Sequence, residues 1–192
     1  MKFLFSHPFW FALARLPFRR RGKDIPQVIA PVAGQISLAH VPVGRCTMDH
    51  MGCEMIALFN ALHFLERPQP LESIVRAFEG RRWLLLGGRW GASPYAIGAY
   101  AREHALPHTI CRGKGRYEAF ARDVLQGPCR VFVVSYWLGD TVFSGAHAAV
   151  LVRRDGILWG YNLFNGQQAP LQVPDLSCLC YADRFIVGYA FQ

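Results

Sequence analysis

The stretch that decides the fold is "MGCEMIALFNALHFLERP", residues 51–68. It predicts a helix over 53–66 that is apolar on nearly every side, and such a helix is buried in the centre of its domain. The helix should end before Pro68, because proline disfavours helical backbone at the residue before it. Cys53 stands in the first turn, directly after Gly52. A core helix needs no thiol at that position, so this cysteine is a candidate nucleophile.

The position of Cys53 favours ionisation of its thiol. The N-terminus of a helix carries a partial positive charge, which stabilises a thiolate and lowers the pKa of the thiol. The first backbone N–H groups of the helix lack intrahelical partners and can donate to an oxyanion. The small Gly52 lets a substrate approach closely. The other interpretation is a cysteine that packs as a small hydrophobic side chain, which is common for this residue type.

Beyond this helix the sequence changes from helical patterns to extended ones. Further helices are predicted at about 70–78, over 93–106 and over 115–127. Strand-like runs bounded by turn residues follow at 129–137, 146–154, 156–164 and 184–191. Helices first and antiparallel strands second predict an α+β fold. We expect a single domain over 24–192, with a helical lobe at about 45–127 and a sheet lobe at about 128–192.

His147 is the candidate for the general base that a cysteine nucleophile needs. It begins the predicted strand 146–154 in "SGAHAAVLV", where small neighbouring residues leave its ring accessible. His50 is the rival, but a histidine so close before Cys53 is hard to aim at the thiol from the loop that precedes the helix. For the other histidines a surface or core position is the better interpretation.

Asn162 is the candidate for the group that orients the base. A two-residue turn at 154–155 or 155–156 pairs the flanking strands as a hairpin, and one of these registers places Asn162 directly opposite His147. Side chains at such positions contact each other. Asn165 is the fallback, although it falls past the pairing, and turn initiation is the other interpretation of Asn162.

The order of these motifs is similar to that of a known family. "GCEMIALFNAL", "GAHAAVLV" and "LWGYNLFNG" follow one another, with "GASPYAIGAYAREHAL" between the first two. This arrangement resembles the papain-like cysteine peptidases, and more closely the bacterial branch that includes the leader peptidases of bacteriocin exporters. The resemblance covers about residues 45–165, and the order of the short motifs carries most of it.

The resemblance implies a papain-like fold, with the central Cys helix of the helical lobe packed on a C-terminal antiparallel sheet. It also implies roles for three residues in acyl transfer at an amide or thioester bond of a peptide or acyl substrate. Cys53 is the nucleophile, His147 is the general base and then the acid, and Asn162 orients the histidine. The implied reaction needs no cofactor, and the substrate lies in the groove between the lobes.

Two departures from the family concern the oxyanion hole. Many members have glycine directly after the cysteine, where this chain has Glu54. Many also place a glutamine about six residues before the cysteine, where this chain has Thr47. We expect the backbone N–H of Cys53 to form half of the oxyanion hole, and Thr47 or the upstream Gln35 to form the rest. The departures favour a second hypothesis, a catalytically inactive papain-like module that binds peptides.

Composition narrows the remaining classes of function. The chain has 192 residues, 52% of them hydrophobic, and a formal net charge of +8. Residues 1–23 are apolar and then basic, but prolines and Arg15 interrupt them, so they predict no membrane span. They pack on the domain or bind an anionic membrane surface, which places the protein in the cytoplasm or at the inner face of the membrane. No motif indicates a nucleic-acid partner.

The cysteines predict neither a metal site nor a disulfide framework. The chain has six cysteines, and its length suffices for a core without disulfides. The pair Cys178 and Cys180 lacks the spacing of redox and zinc motifs. We therefore expect reduced cysteines, no metal and no cofactor.

Overall fold

The structure, a computed structural model, describes residues 25–141, 144–164 and 166–192. Within these residues the chain forms a mixed α+β fold on a six-stranded antiparallel sheet, with a second sheet of two short strands. The predicted α+β class is therefore confirmed. The N-terminal segment 1–23, for which we predict packing or membrane contact, lies outside the described residues.

The described part of the chain contains five α-helices and eight strands. In chain order they are β1 (Pro42–Val43), β2 (Cys46–Thr47), α1 (Met48–Met51), α2 (Cys53–Phe64), α3 (Leu71–Gly80), α4 (Ala96–Glu103), β3 (His108–Arg112), α5 (Tyr117–Gln126), β4 (Val131–Trp137), β5 (Ala146–Arg154), β6 (Ile157–Tyr161), β7 (Leu171–Gln172) and β8 (Phe185–Phe191). The strands of the large sheet lie in the order β3-β8-β4-β5-β6-β7.

The α2 helix is the centre of the fold, as its apolar sequence predicts. Every residue from Cys53 to Leu62 is buried, and the helix packs on the adjacent strands β4 and β5. Its one buried amide, Asn60, accepts a hydrogen bond from the N–H of Val32 and donates one to the carbonyl of Val32, both at 2.8 Å. A buried polar group is tolerated because it is satisfied in this way, and here it also ties the incoming chain to the helix.

The large sheet has a hydrophobic core on each face. Alternate residues of β5 point to opposite sides, so that Ala148 and Val150 face α2 whereas Ala149 and Leu151 face the second core. Helices α2, α3 and α4 contribute to the first core. Helix α5 covers the other face through Tyr117, Phe120 and Val124. The sheet is therefore the middle layer of the molecule.

Two local predictions need correction. The strand β3 was not predicted, because it lies between two helical patterns, and it forms an edge of the large sheet by pairing with β8. The helix expected from Ser93 begins instead at Ala96. Ser93 accepts a hydrogen bond from the N–H of Tyr95, which forms a turn before the helix and not its first turn.

The hairpin of β5 and β6 has the predicted turn but not the register that we favoured. Asp155 and Gly156 have φ values of 51° and 77°, as a type I′ turn requires. The last pair of the ladder is Val150 with Tyr161. Asn162 therefore lies beyond the end of β6, and the prediction that it stands directly opposite His147 is wrong.

Gly52 is required by close packing between α1 and α2. A Cβ atom at this position would lie 2.2 Å from Sδ and 2.4 Å from the carbonyl oxygen of Met48. We expect Gly52→Ala to lower the free energy of unfolding by roughly 1–3 kcal/mol through overpacking, measured by urea denaturation.

The matched control is Gly80→Ala. Gly80 ends α3, and a Cβ atom there meets no heavy atom within 4 Å. Replacing it should leave the stability unchanged or raise it by up to about 1 kcal/mol, since the unfolded chain loses freedom. Equal effects of the two substitutions would contradict the packing argument.

Candidate active site

Cys53 is the first residue of α2, and its thiol lies against the sheet. The side chain is 8% exposed. The thiol lies near the backbone of Ala148 and of its own helix N-terminus, whose polar N–H groups favour a thiolate. Burial nevertheless raises the pKa of the Cys53 thiol to about 12, and the charge of the adjacent Glu54 adds to this effect. The prediction of a lowered pKa is therefore wrong for the unliganded protein, because desolvation outweighs the helix N-terminus.

His147 lies in β5 with its ring buried and its tautomer fixed. Its Nε2 atom is 2.5 Å from the backbone carbonyl oxygen of Asn162. A carbonyl oxygen only accepts, so Nε2 carries the proton and Nδ1 of the neutral ring keeps its lone pair. The ring packs edge-on against Tyr136, with centroids 5.9 Å apart. Burial lowers the pKa of the His147 imidazole, which keeps it neutral at physiological pH.

Asn162 contacts His147 through its backbone and not through its side chain. The residue has a φ of 55°, and its N–H donates to the carbonyl of Ala33 at 2.6 Å. Its side-chain amide donates to the carbonyl of Ala148 at 3.1 Å, and its side-chain oxygen accepts from the N–H of Gln35 at 3.1 Å. The predicted side-chain contact with the ring is therefore corrected. The amide holds the backbone in place, and the carbonyl contacts the base.

The two candidates for the oxyanion hole differ in whether they keep an unused hydrogen-bond donor. The Thr47 hydroxyl donates its one hydrogen to the Asp49 carboxylate at 2.5 Å. Gln35 is buried, accepts from the Asn162 amide at 3.3 Å, and donates one amide hydrogen to the Asp49 carbonyl at 2.5 Å. A primary amide has two hydrogens, so Gln35 retains one further donor. Gln35 therefore fits the role better than Thr47.

Hydrogen bonds connect most of the predicted site residues. They run from Asn162 to the carbonyl of Ala148 and between Asn162 and Gln35. His147 joins them through the Asn162 carbonyl. Among the described residues, no hydrogen bond links the thiol to the imidazole. The predicted pairing of the thiol with the imidazole is not seen: strand alternation places His147 with Tyr136 on the face of the sheet opposite Ala148 and α2.

Of the two alternative residues, one is exposed and the other lies outside the described residues. His50 is exposed on α1, and no bond to the site is described for it. Asn165, the fallback for Asn162, is outside the described residues. No group of three or more histidine, cysteine, aspartate or glutamate side chains in the described ranges is arranged to hold a metal ion.

Glu54 is the site residue whose role the sequence analysis missed. It follows Cys53 in α2, is 2% exposed, and accepts a hydrogen bond from the Ser135 hydroxyl at 2.9 Å through Oε1. Its Oε2 atom has no hydrogen-bond partner. Burial raises the pKa of the Glu54 carboxyl to about 8. The signal was in the sequence, because a carboxylate on a helix that is apolar all round must be buried.

Sequence comparison with known proteins assigns this chain to no family. No protein-family model matches the chain, and no curated protein matches it in sequence. No helix among the described residues is both long and apolar enough to cross a membrane.

The Glu54 pKa makes stability depend on pH in a defined direction. An unfolded glutamate ionises near its usual pKa of 4.5, whereas the folded Glu54 ionises at about 8. Between these values the unfolded state binds fewer protons, so stability falls as the pH rises. We expect Glu54→Gln to remove this loss and to gain on wild type by about 1.4 kcal/mol per pH unit across the window.

The measurement is urea denaturation of both proteins at about pH 5 and pH 8, at the two sides of that window. Glu118→Gln, on the exposed face of α5, is the control and should show the same difference from wild type at both pH values. A stability difference between Glu54→Gln and wild type that does not change with pH would show that the buried carboxyl titrates normally.

Proposed function

We propose that the protein is a papain-like thiol hydrolase or acyltransferase that acts on an amide or thioester bond. The observation that carries the proposal is the packing of α2, which begins at Cys53, on β5, the strand that holds His147. The base also has the tautomer that the reaction needs, with a free lone pair on Nδ1.

The chemistry starts from a neutral pair. On substrate binding, the Sγ proton of Cys53 passes to Nδ1 of His147 while the sulfur attacks the carbonyl carbon. The C–S bond forms, and the former carbonyl oxygen takes the negative charge. The backbone N–H of Cys53 and the second amide hydrogen of Gln35 are the donors proposed for this oxyanion.

Collapse of the tetrahedral intermediate completes the acyl transfer. The bond to the leaving amine or thiol breaks, and the His147 imidazolium gives its proton to that group. Water or an amine then attacks the thioester, with His147 acting again as base, and the Cys53 thiol is regenerated. The Asn162 carbonyl accepts from Nε2 throughout, so it stabilises the imidazolium and keeps the ring in place.

The second hypothesis is a non-catalytic module that binds a peptide in the same groove. Two features favour it: burial raises the pKa of the Cys53 thiol to about 12, and no hydrogen bond joins that thiol to the His147 imidazole. The peripheral membrane contact that we propose for residues 1–23 is compatible with either hypothesis.

A peptidyl vinyl sulfone library distinguishes the two hypotheses. An enzyme should form an adduct at Cys53, located by mass spectrometry, and His147→Ala should slow its formation at least about 100-fold because the base is lost. The exposed Cys178 is an internal control for intrinsic reactivity, and His50→Ala is the matched control variant. Adducts at Cys53 that form equally fast without His147 would exclude the proposed pair.

Asn162 provides a second expected outcome, because its backbone and side chain act separately. With φ at 55°, alanine at this position is strained, whereas glycine adopts the conformation readily. Both substitutions lose the amide contacts to Gln35 and Ala148. We expect Asn162→Gly to retain more of the adduct rate than Asn162→Ala, by roughly 5- to 10-fold, from the strain that alanine adds. Equal rates would show that the position of the carbonyl does not limit the reaction.

A further inference from the structure

Cys53 and Glu54 are consecutive residues in the first turn of α2, which packs on β4 and β5. Ser135 of β4 and Ala148 of β5 are paired in the antiparallel ladder, and Ala148 faces α2. Glu54 accepts a hydrogen bond from the Ser135 hydroxyl, and the thiol lies near the backbone of Ala148. Paired positions of neighbouring strands are about 5 Å apart, so the two ionisable groups are close neighbours.

The surroundings offer the carboxyl no compensating charge. Tyr189 of β8 is a titratable neighbour, since Glu54 is among the groups that raise the pKa of the Tyr189 hydroxyl. The cation on that side, Arg112 of β3, acts on Tyr189 and stacks over the ring of Tyr95. Within the described residues, no basic side chain forms an ion pair with Glu54.

The remaining neighbours are uncharged. From β4, Ser135 supplies one hydroxyl, and from α4, Gly98 has no side chain beside Tyr189. The nearest group of β5 that can take up a proton is His147, which is itself buried and hydrogen-bonded to Asn162. A carboxylate here has one donor for two oxygens, and its second oxygen, Oε2, is unpartnered.

We infer that Glu54 controls the ionisation of the Cys53 thiol, so that the thiol forms a thiolate readily only while the carboxyl holds its proton. Two negative charges at this separation repel strongly when little water surrounds them. The buried and incompletely bonded carboxyl favours the protonated form, and the pKa near 8 agrees with this. Glu54 contacts no reacting atom in this scheme. It is therefore a positioning residue, which acts by remaining uncharged while the thiolate forms.

The inference gives the thiol an unusual dependence on pH. Below the pKa of Glu54 the thiolate fraction rises tenfold per pH unit, as for any thiol. Above it, each proton lost from Cys53 must come from the shrinking population that still has a neutral Glu54. The two effects cancel, so the logarithm of the thiolate-dependent rate levels off with pH in place of rising further.

The test is the rate of Cys53 alkylation by iodoacetamide between about pH 5 and pH 11, followed by mass spectrometry of full-length protein, a range that spans both expected transitions. Wild type should level off above about pH 8, the pKa of Glu54. Glu54→Gln keeps an acceptor for Ser135 but carries no charge, so its rate should continue to rise. The ratio of the two rates should be near one at low pH and should reach roughly 10- to 100-fold about one to two pH units above the levelling point.

Two further measurements keep the inference testable if Glu54→Gln does not fold. Ser135→Ala removes a donor that favours the carboxylate, so the levelling should move to higher pH. Carbon-13 NMR of the glutamate carboxyls should show one group that titrates at the pH where the alkylation rate of wild type levels off. A rate ratio that is constant across pH overturns the inference. So does an alkylation rate that levels off at the same pH in Ser135→Ala as in wild type.

The inference rests on the proposed function only in taking Cys53 as the group whose ionisation matters. If vinyl sulfone adducts form without His147 while the Glu54 levelling persists, the proposed function fails and the coupling stands. If the adducts require His147 but the rate ratio is flat, the function stands and the coupling is wrong.

Discussion

Burial of the α2 helix along nearly its whole length places every group of the candidate site. The helix packs on β4 and β5, and its first turn lies at the Ser135–Ala148 pair. The packing that buries the thiol also removes its water. Desolvation then disfavours the thiolate, the carboxylate and the imidazolium together, which makes the unliganded site electrically neutral.

A neutral site bears on how the proposed reaction would activate the cysteine. An ion pair of thiolate and imidazolium is the usual way to activate a cysteine, but it needs a polar environment that this site lacks. In the proposed mechanism the proton of the thiol moves only when substrate is present, as in a serine hydrolase, and donors already in place stabilise the developing charge. The backbone carbonyl of Asn162 and the amide of Gln35 are held for this by hydrogen bonds to each other's residues.

The sequence predicted the elements better than the contacts between them. The period of the apolar residues is strong in α2, and the turn chemistry of Asp155-Gly156 fixed the hairpin, so the locations of Cys53 and His147 followed. The register was missed because both candidate turns fit the pattern, and the choice moved Asn162 from the strand to a position beyond its end. The position of Gln35 depends on bonds to a residue far along the chain, which no local pattern contains.

The pKa values were missed for a different reason. The N-terminus of a helix is a local feature and can be read from sequence, whereas the depth at which it lies depends on everything packed around it. The helix N-terminus favours a lower pKa of the Cys53 thiol, but desolvation raises this pKa by more. The sequence did contain the clue in Glu54, since an acidic residue within an apolar helix has to be buried next to the thiol.

The central claim is a neutral thiol and a neutral imidazole whose Nδ1 lone pair is free to take the proton. Nitrogen-15 NMR of the histidine rings, with His147 assigned by its absence in His147→Ala, tests this claim most directly. At neutral pH the account predicts one His147 ring nitrogen with a proton, at Nε2, and an unprotonated Nδ1. A doubly protonated ring at that pH, or a proton on Nδ1, would contradict it.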